Sequence, residues 1–336
     1  MAPDGDGGAA RAGGPRHRPA GPALSPGAGG DGGNTESTVT VLIAAGANLG
    51  VAAAKAAGGL LSSSAVMLSE AAHSFADTVT EVLLLTAVRR GDRPADDRHP
   101  FGYGKETYFW AFLAAVATFL VGAGFSITEG VQRIVTGGEA GDPLVSYLVL
   151  VVAAGLEGAS LVRAVRQVRG AAAQRRVAPG RYLRVGSDTP VKAVTLEDSA
   201  ALVGLALAAT GLLLEQFTGW SGWDGLASIA VGGLLIVVAV VLGRDNMTLL
   251  VGRAAPAEIE RAVCEELAGL PAVERIGTVY TMMLGPGRVL VAAKVDFRAD
   301  ASAADIERAG EEAEERLDTA LSGRYEVFLD PTTVRR

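Results

Sequence analysis

The sequence predicts an all-α bundle of six transmembrane helices followed by a small C-terminal cytoplasmic α+β domain in the order α-β-β-α-β. Three observations predict it. Long apolar runs recur through the first three quarters of the chain, each sufficient to span a hydrocarbon core about 30 Å thick. Lys and Arg gather in alternate connections between those runs. After Arg253 the pattern changes to charged helical segments interleaved with short β-rich ones. Of 336 residues, 49% are hydrophobic and only 5% aromatic. The runs are therefore built from Ala, Gly, Val and Leu, which suits close helix packing in lipid.

Residues 1–37 are rich in Gly, Pro, Ala and Arg without apolar period and are expected to be a disordered arm in which His17 is solvated. No secretory signal closely precedes the first apolar run. A transmembrane domain over 38–251 is expected next, with spans near 38–60, 65–88, 107–136, 144–168, 191–215 and 223–243. Arg89, Arg90, Arg93, Arg98 and Lys105 lie between the second and third, and a basic series from Arg163 to Lys192 lies at or between the fourth and fifth. The connections around Gly59, Gly138 and Gly219 carry almost no Lys or Arg, so the positive-inside rule puts both termini in the cytoplasm and the chain in the cell membrane. The cytoplasmic domain, 252–336, should have helices over 256–269 and 303–321. Its strands are expected over 273–283, 288–297 and Tyr325 to Leu329, with the acidic helix from Asp305 to Asp318 a solvated surface.

The second span holds Ser69-Glu70-Ala71-Ala72-His73-Ser74-Phe75-Ala76-Asp77. On a helix His73 and Asp77 stand one above the other, with Glu70 and Glu81 roughly on the same side. Charge at the bilayer centre costs at least ~2.5 kcal/mol by insertion scales, so this face should line a water-filled path, a metal site or a proton relay. An imidazole and a carboxylate at i and i+4 are two preorganised ligands for a borderline cation such as zinc. The alternative is a buried His–Asp hydrogen bond that staples helices together. Counting at 1.5 Å per residue puts Asn48, His73, Asp77, Glu157, Glu197 and Asp198 in the inner half of the bilayer, where they can share one layer. Lys55, nearer an outer end, is expected to snorkel, and Glu129 with Arg133 to form an interfacial i, i+4 pair.

A net charge of -7, with basic residues scattered among apolar segments, does not suggest nucleic acid. The single cysteine, Cys264, allows neither a disulfide within the chain nor a cysteine zinc cluster. No HExxH motif or nucleophile and base pair points to an enzyme, and no cofactor is expected.

Six spans with cytoplasmic ends, the His73-Ser74-x-x-Asp77 element, the stretch His99-Pro100-Phe101-Gly102-Tyr103-Gly104-Lys105-Glu106 and the α+β tail together resemble the cation diffusion facilitator family of divalent-metal transporters. The resemblance implies proton-coupled efflux of zinc or a related ion by a homodimer, working by alternating access. It also implies two ligands from the second span and two from the fifth. Here the fifth span departs from the family's HxxxD or DxxxD pattern. If Asp198 takes the carboxylate position, the earlier one holds Val194; if Glu197 takes the first, the second holds Ala201. The metal set implied is thus His73, Asp77, Asp198 and Glu197, with Glu197, Glu70 and Glu157 as proton-coupling candidates. The Glu197-Asp198-Ser199-Ala200-Ala201 form resembles the branch that includes the animal mitochondrial zinc exporter. A structural role for the acidic pair, as partners of Lys192 or Arg184, is the alternative. With only His17, His73 and His99 in the chain, auxiliary histidine sites in the tail are not expected. His99 is read as a loop cap or as a ligand on the way in. Two other functions stay open: a carrier or channel using the acidic layer only as a relay, and a non-transporting scaffold or sensor whose tail recruits partners.

Overall fold

The computed structural model describes residues 32–137, 143–174, 178–185, 189–321 and 323–333. The predicted arm up to residue 31, with His17, and Arg175 and Arg176 lie outside them. Residues up to Thr40 and residues from Val41 onward form separate compact units. The described part of the first is the start of helix α1 (Gly32–Ser62). Residues 32–37, expected in the arm, are therefore helical.

Helix α2 (Ala65–Gly91) starts after its cap Ser64, itself preceded by Ser63, whose φ of 51° turns the chain. The Ser64 hydroxyl accepts from the Met67 amide, and the Asp224 carboxylate accepts from the amides of Ala65 (2.5 Å) and Val66 (3.4 Å). An anion at a helix N-terminus, matched by Arg89 and Arg90 in the last turn, complements the helix dipole. The third long segment is not one α-helix. It is α3 (Gly104–Ala117), a π-helical turn (Thr118–Ala123) and α4 (Gly124–Thr136). There follow α5 (Pro143–Gln174), the short α6 (Pro179–Val185), α7 (Thr189–Thr218) and α8 (Gly222–Val251). Among the described residues, four helical stretches are long and apolar enough to cross a membrane: Gly104–Thr136, Leu144–Ala173, Thr189–Thr218 and Gly222–Val251. Helix α8 continues past the expected end near 243 because its Asp245 pairs with Lys192 of α7, which accommodates the charge.

Small residues set the helix spacing. A β-carbon on Gly130 of α4 would stand 2.6 Å from the Gly225 carbonyl oxygen of α8, and one on Gly225 would stand 2.7 Å from that of Gly130. Only glycine at both positions permits this approach.

The C-terminal part comprises α9 (Ala257–Ala268), β1 (Val273–Gly285), β2 (Arg288–Phe297), α10 (Ala303–Ala320) and β3 (Arg324–Pro331), the predicted order. Strand β2 pairs antiparallel with β1 across the Pro286-Gly287 turn and parallel with β3. Val289, Val291, Ala293 and Val295 alternate inward from β2 onto Val263, Leu267, Ala313 and Leu317 of the two helices. This core also receives Tyr108 of α3 and Leu249 of α8.

The stretch around residues 92–106 forms the joint between the helices and the sheet. Asp96 accepts from the Tyr103 hydroxyl (2.6 Å) and the amides of His99 (2.8 Å) and Arg98 (3.0 Å). These bonds, the tyrosine's first, hold its carboxyl down at about 2, so the loop stays ionised and pinned at any physiological pH. His99 lies within it, its ring 4.1 Å from that of Tyr103. Gly104 then meets β1 backbone to backbone. A β-carbon on Gly104 would be 2.5 Å from the Leu284 oxygen, and one on Gly285 would be 2.7 Å from the Gly104 Cα.

Candidate functional site

Helix periodicity stacks Glu70, His73, Asp77 and Glu81 along one side of α2. His73 is 1% exposed, and its Nε2 lies 3.6 Å from Asp77 Oδ2, beyond hydrogen-bonding reach. Neither ring nitrogen of His73 nor the Asp77 Oδ1 has a hydrogen-bond partner. The buried His–Asp staple considered from the sequence is therefore not made in this geometry, and both side chains keep their lone pairs or protons available.

Asp77 and Glu81 of α2 face a cavity of about 60 Å³, large enough for a few waters or a partly hydrated cation. Asn48 and Val51 of α1, Leu156, Glu157 and Ser160 of α5, and Val194, Glu197 and Asp198 of α7 complete its wall. Its acidic groups are individually oriented. Asp198 Oδ2 accepts from Ser160 Oγ at 2.8 Å, Glu81 Oε1 accepts from Asn48 Nδ2 at 2.7 Å, and Glu197 Oε1 lies 3.5 Å from Thr118 Oγ1. Thr118 opens the π-helical turn and is fully buried, also bonding Thr80 Oγ1 at 3.2 Å. Such turns concentrate at functional positions because they re-aim side chains.

The cavity gathers Asp77, Glu157, Glu197 and Asp198, four of the six residues singled out in the sequence. His73 is not in its wall and reaches it through Asp77. Glu70 lies one further turn from the sheet domain, bound to Lys55. Among the described residues, no three His, Cys, Asp or Glu side chains stand close enough together to hold an ion. The donors line the cavity without converging on one point.

Three readings require correction. Lys55 does not snorkel; it is fully buried, donating to Glu70 Oε2 (3.2 Å) and Ser74 Oγ (2.6 Å), with Glu157 Oε1 at 3.9 Å. Its end of α1 faces neighbouring helices, and depth alone did not reveal that. Arg133 does not pair with Glu129. It reaches inward to Glu215 of α7 (3.1 Å) and Asp224 of α8 (3.6 Å). Nor is Lys192 the partner of the acidic pair on α7, since it binds Asp245. The roles of Ser74, Thr118 and Ser160 had no sequence signal beyond a hydroxyl at membrane depth. Lys55 had one: Asn48, Val51 and Lys55, spaced i, i+3, i+7, share a helical face.

Residues 41–251 match the cation efflux transmembrane domain. Metal tolerance protein C4 of Arabidopsis thaliana is 36% identical over 239 residues, 70% of this chain and 52% of that protein. The mitochondrial proton-coupled zinc antiporter SLC30A9 of Homo sapiens is 33% identical over 234 residues, 70% and 41% of the two chains. Zinc transporter ZitB of Escherichia coli strain K12 is 28% identical over 258 residues, 74% of each. The match thus spans about half the length of the first two relatives. With the family's domain matched from Val41 within α1 to Val251 at the end of α8, this chain belongs to the cation efflux family of multi-pass membrane proteins.

Proposed function

We propose that this chain exports a divalent cation, zinc, in exchange for protons by alternating access at the acidic cavity. The observation that carries the reading is that cavity: Asp77, Glu157, Glu197 and Asp198 line it from three helices, and His73, with neither ring nitrogen hydrogen-bonded, stands beside Asp77. Imidazole beside carboxylates suits a borderline ion over one that prefers oxygen alone, and the zinc in two relatives' names agrees. In this reading α1 and α2 are also spans, giving six, with both termini cytoplasmic, and two copies form a homodimer.

His73, Asp77, Asp198 and Glu197 are the ligand set, and Glu197 and Glu157 the groups that exchange protons; Glu70, a candidate from the sequence, is engaged by Lys55. Metal ligands must be deprotonated, so cation binding from the cytoplasm releases protons, and protons on the other side displace the cation. The membrane potential opposes export by ~2.3 kcal/mol per charge per 100 mV, and proton entry offsets it. The cavity lies in the half of the bundle nearer the sheet domain. Away from it, Lys55 pairs with Glu70, and Arg133 with Glu215 and Asp224.

A metal panel in proteoliposomes tests the reading. Zinc should be carried fastest, cobalt and cadmium more slowly, and magnesium not at all. Equal uptake of magnesium and zinc would contradict the donor chemistry.

A further inference from the structure

A fully buried lysine is costly unless compensated, and Lys55 lies one helical turn from Val51 in the cavity wall. Asn48, Val51 and Lys55 lie on one face of α1, and the first two wall the cavity. The ammonium group of Lys55 is one turn further from the sheet domain. It donates to Glu70 Oε2 at 3.2 Å and Ser74 Oγ at 2.6 Å. Space for the Glu70 carboxylate is left by Gly204 of α7, where a β-carbon would overlap it. Glu70 is thus seated as the hydrogen-bonded carboxylate partner of Lys55.

Glu157 is different. It walls the cavity, yet its Oε1 is 3.9 Å from Lys55 Nζ. That distance is an ion pair without a hydrogen bond, so Glu157 is attracted to Lys55 but not locked to it. A cation entering the cavity and the tethered ammonium of Lys55 therefore draw on the same carboxylate.

We propose that Lys55 is a built-in competitor for Glu157, a tethered cation that weakens the cavity's hold on metal and so allows release. This rests on the metal-export reading above. Glu157 is not one of the four ligands; its carboxylate stands between the cavity and Lys55, so its charge is shared between the ammonium and a cation held beside it. It acts as a positioning residue, and it touches no metal. A lysine that only stapled α1 to α2 and α5 would have a different signature, since its loss would weaken the fold and leave affinity equal or lower.

The test measures zinc affinity by calorimetry on the purified full chain. Lys55→Met keeps an unbranched side chain but leaves Glu70 buried and unpaired, which threatens folding. The decisive variant is therefore Lys55→Met with Glu70→Gln, which removes both charges together. It should bind zinc severalfold more tightly than the unaltered chain, because the ammonium 3.9 Å from Glu157 is gone while the opposite charge lost with it, that of Glu70, lies outside the cavity wall. Lys55→Arg should stay near the starting affinity. Added to Glu157→Gln, the double change should bring no gain, because the contested carboxylate is gone. Unchanged or weaker affinity in the double variant, while Asp77→Ala abolishes binding, overturns the role of Lys55 and leaves the site standing. A gain that persists in Glu157→Gln overturns competition for Glu157. Undiminished binding in Asp77→Ala overturns the metal site, and the role of Lys55 with it.

Discussion

Asp77→Ala is expected to abolish zinc flux while leaving a folded protein. Both halves follow from the surroundings of the carboxylate. Asp77 Oδ1 has no hydrogen-bond partner, and the other oxygen has only His73, at 3.6 Å. Truncation therefore breaks no bond, and it removes a carboxylate whose burial opposes folding. The melting temperature should stay the same or rise. In flux, the change deletes a carboxylate that walls the cavity and lies 3.6 Å from His73 Nε2. A borderline cation that loses its anionic ligand loses affinity by orders of magnitude, so transport should fall to the level of protein-free vesicles. Zinc flux near that of the unaltered chain, with the same melting profile, would mean that the cavity is not the site.

Asp198→Asn should also eliminate metal binding, whereas Glu197→Gln should retain it and weaken coupling to the pH gradient. The two neighbours are about 100° apart on α7 and meet different partners. Asp198 accepts from Ser160 of α5 at 2.8 Å, a bond that the asparagine oxygen can also accept, so the variant keeps its orientation and loses only its anionic charge. Glu197 is 6% exposed and lies against Thr118 in the π-helical turn, the more enclosed of the two positions. Zinc affinity and proton-driven flux, measured for both variants, separate the roles. Loss of binding only in Glu197→Gln would exchange the assignments.

What could be read beforehand was whatever depends on period and length. Apolar runs longer than the bilayer is thick, His73 and Asp77 at i and i+4, and the alternation from Val289 to Val295 each constrain the backbone locally, and the helices and strands formed where those patterns lie. Partner choice between helices was not legible in the same way. Arg133 has Glu129 four residues away, a sufficient local explanation, yet Glu215 and Asp224 capture it because a buried guanidinium gains more from two buried carboxylates than from one at the surface. Lys55 was misread for a related reason. Its depth was counted from the end of α1, but the face it shares with Asn48 and Val51 decides whether it meets lipid or Glu70. The π-helical turn at Thr118 has no signal in composition, since Thr118–Ala123 is as apolar as its neighbours. The stretch from His99 to Glu106 was legible as a motif but not as a joint. That Gly104 must be glycine becomes evident only when Leu284 and Gly285 are seen against it.

The central claim is that protons and zinc compete for one cavity and so move in opposite directions. Vesicles containing the full chain, with an acidic lumen and a pH dye inside, test it directly. Zinc added outside should accumulate in the lumen above its external concentration, the lumen should become more alkaline as it enters, and both signals should vanish when the gradient is collapsed or Asp77 is changed to Ala. Zinc entry at the same rate with and without the pH gradient, and no alkalinisation, would contradict proton exchange at this site.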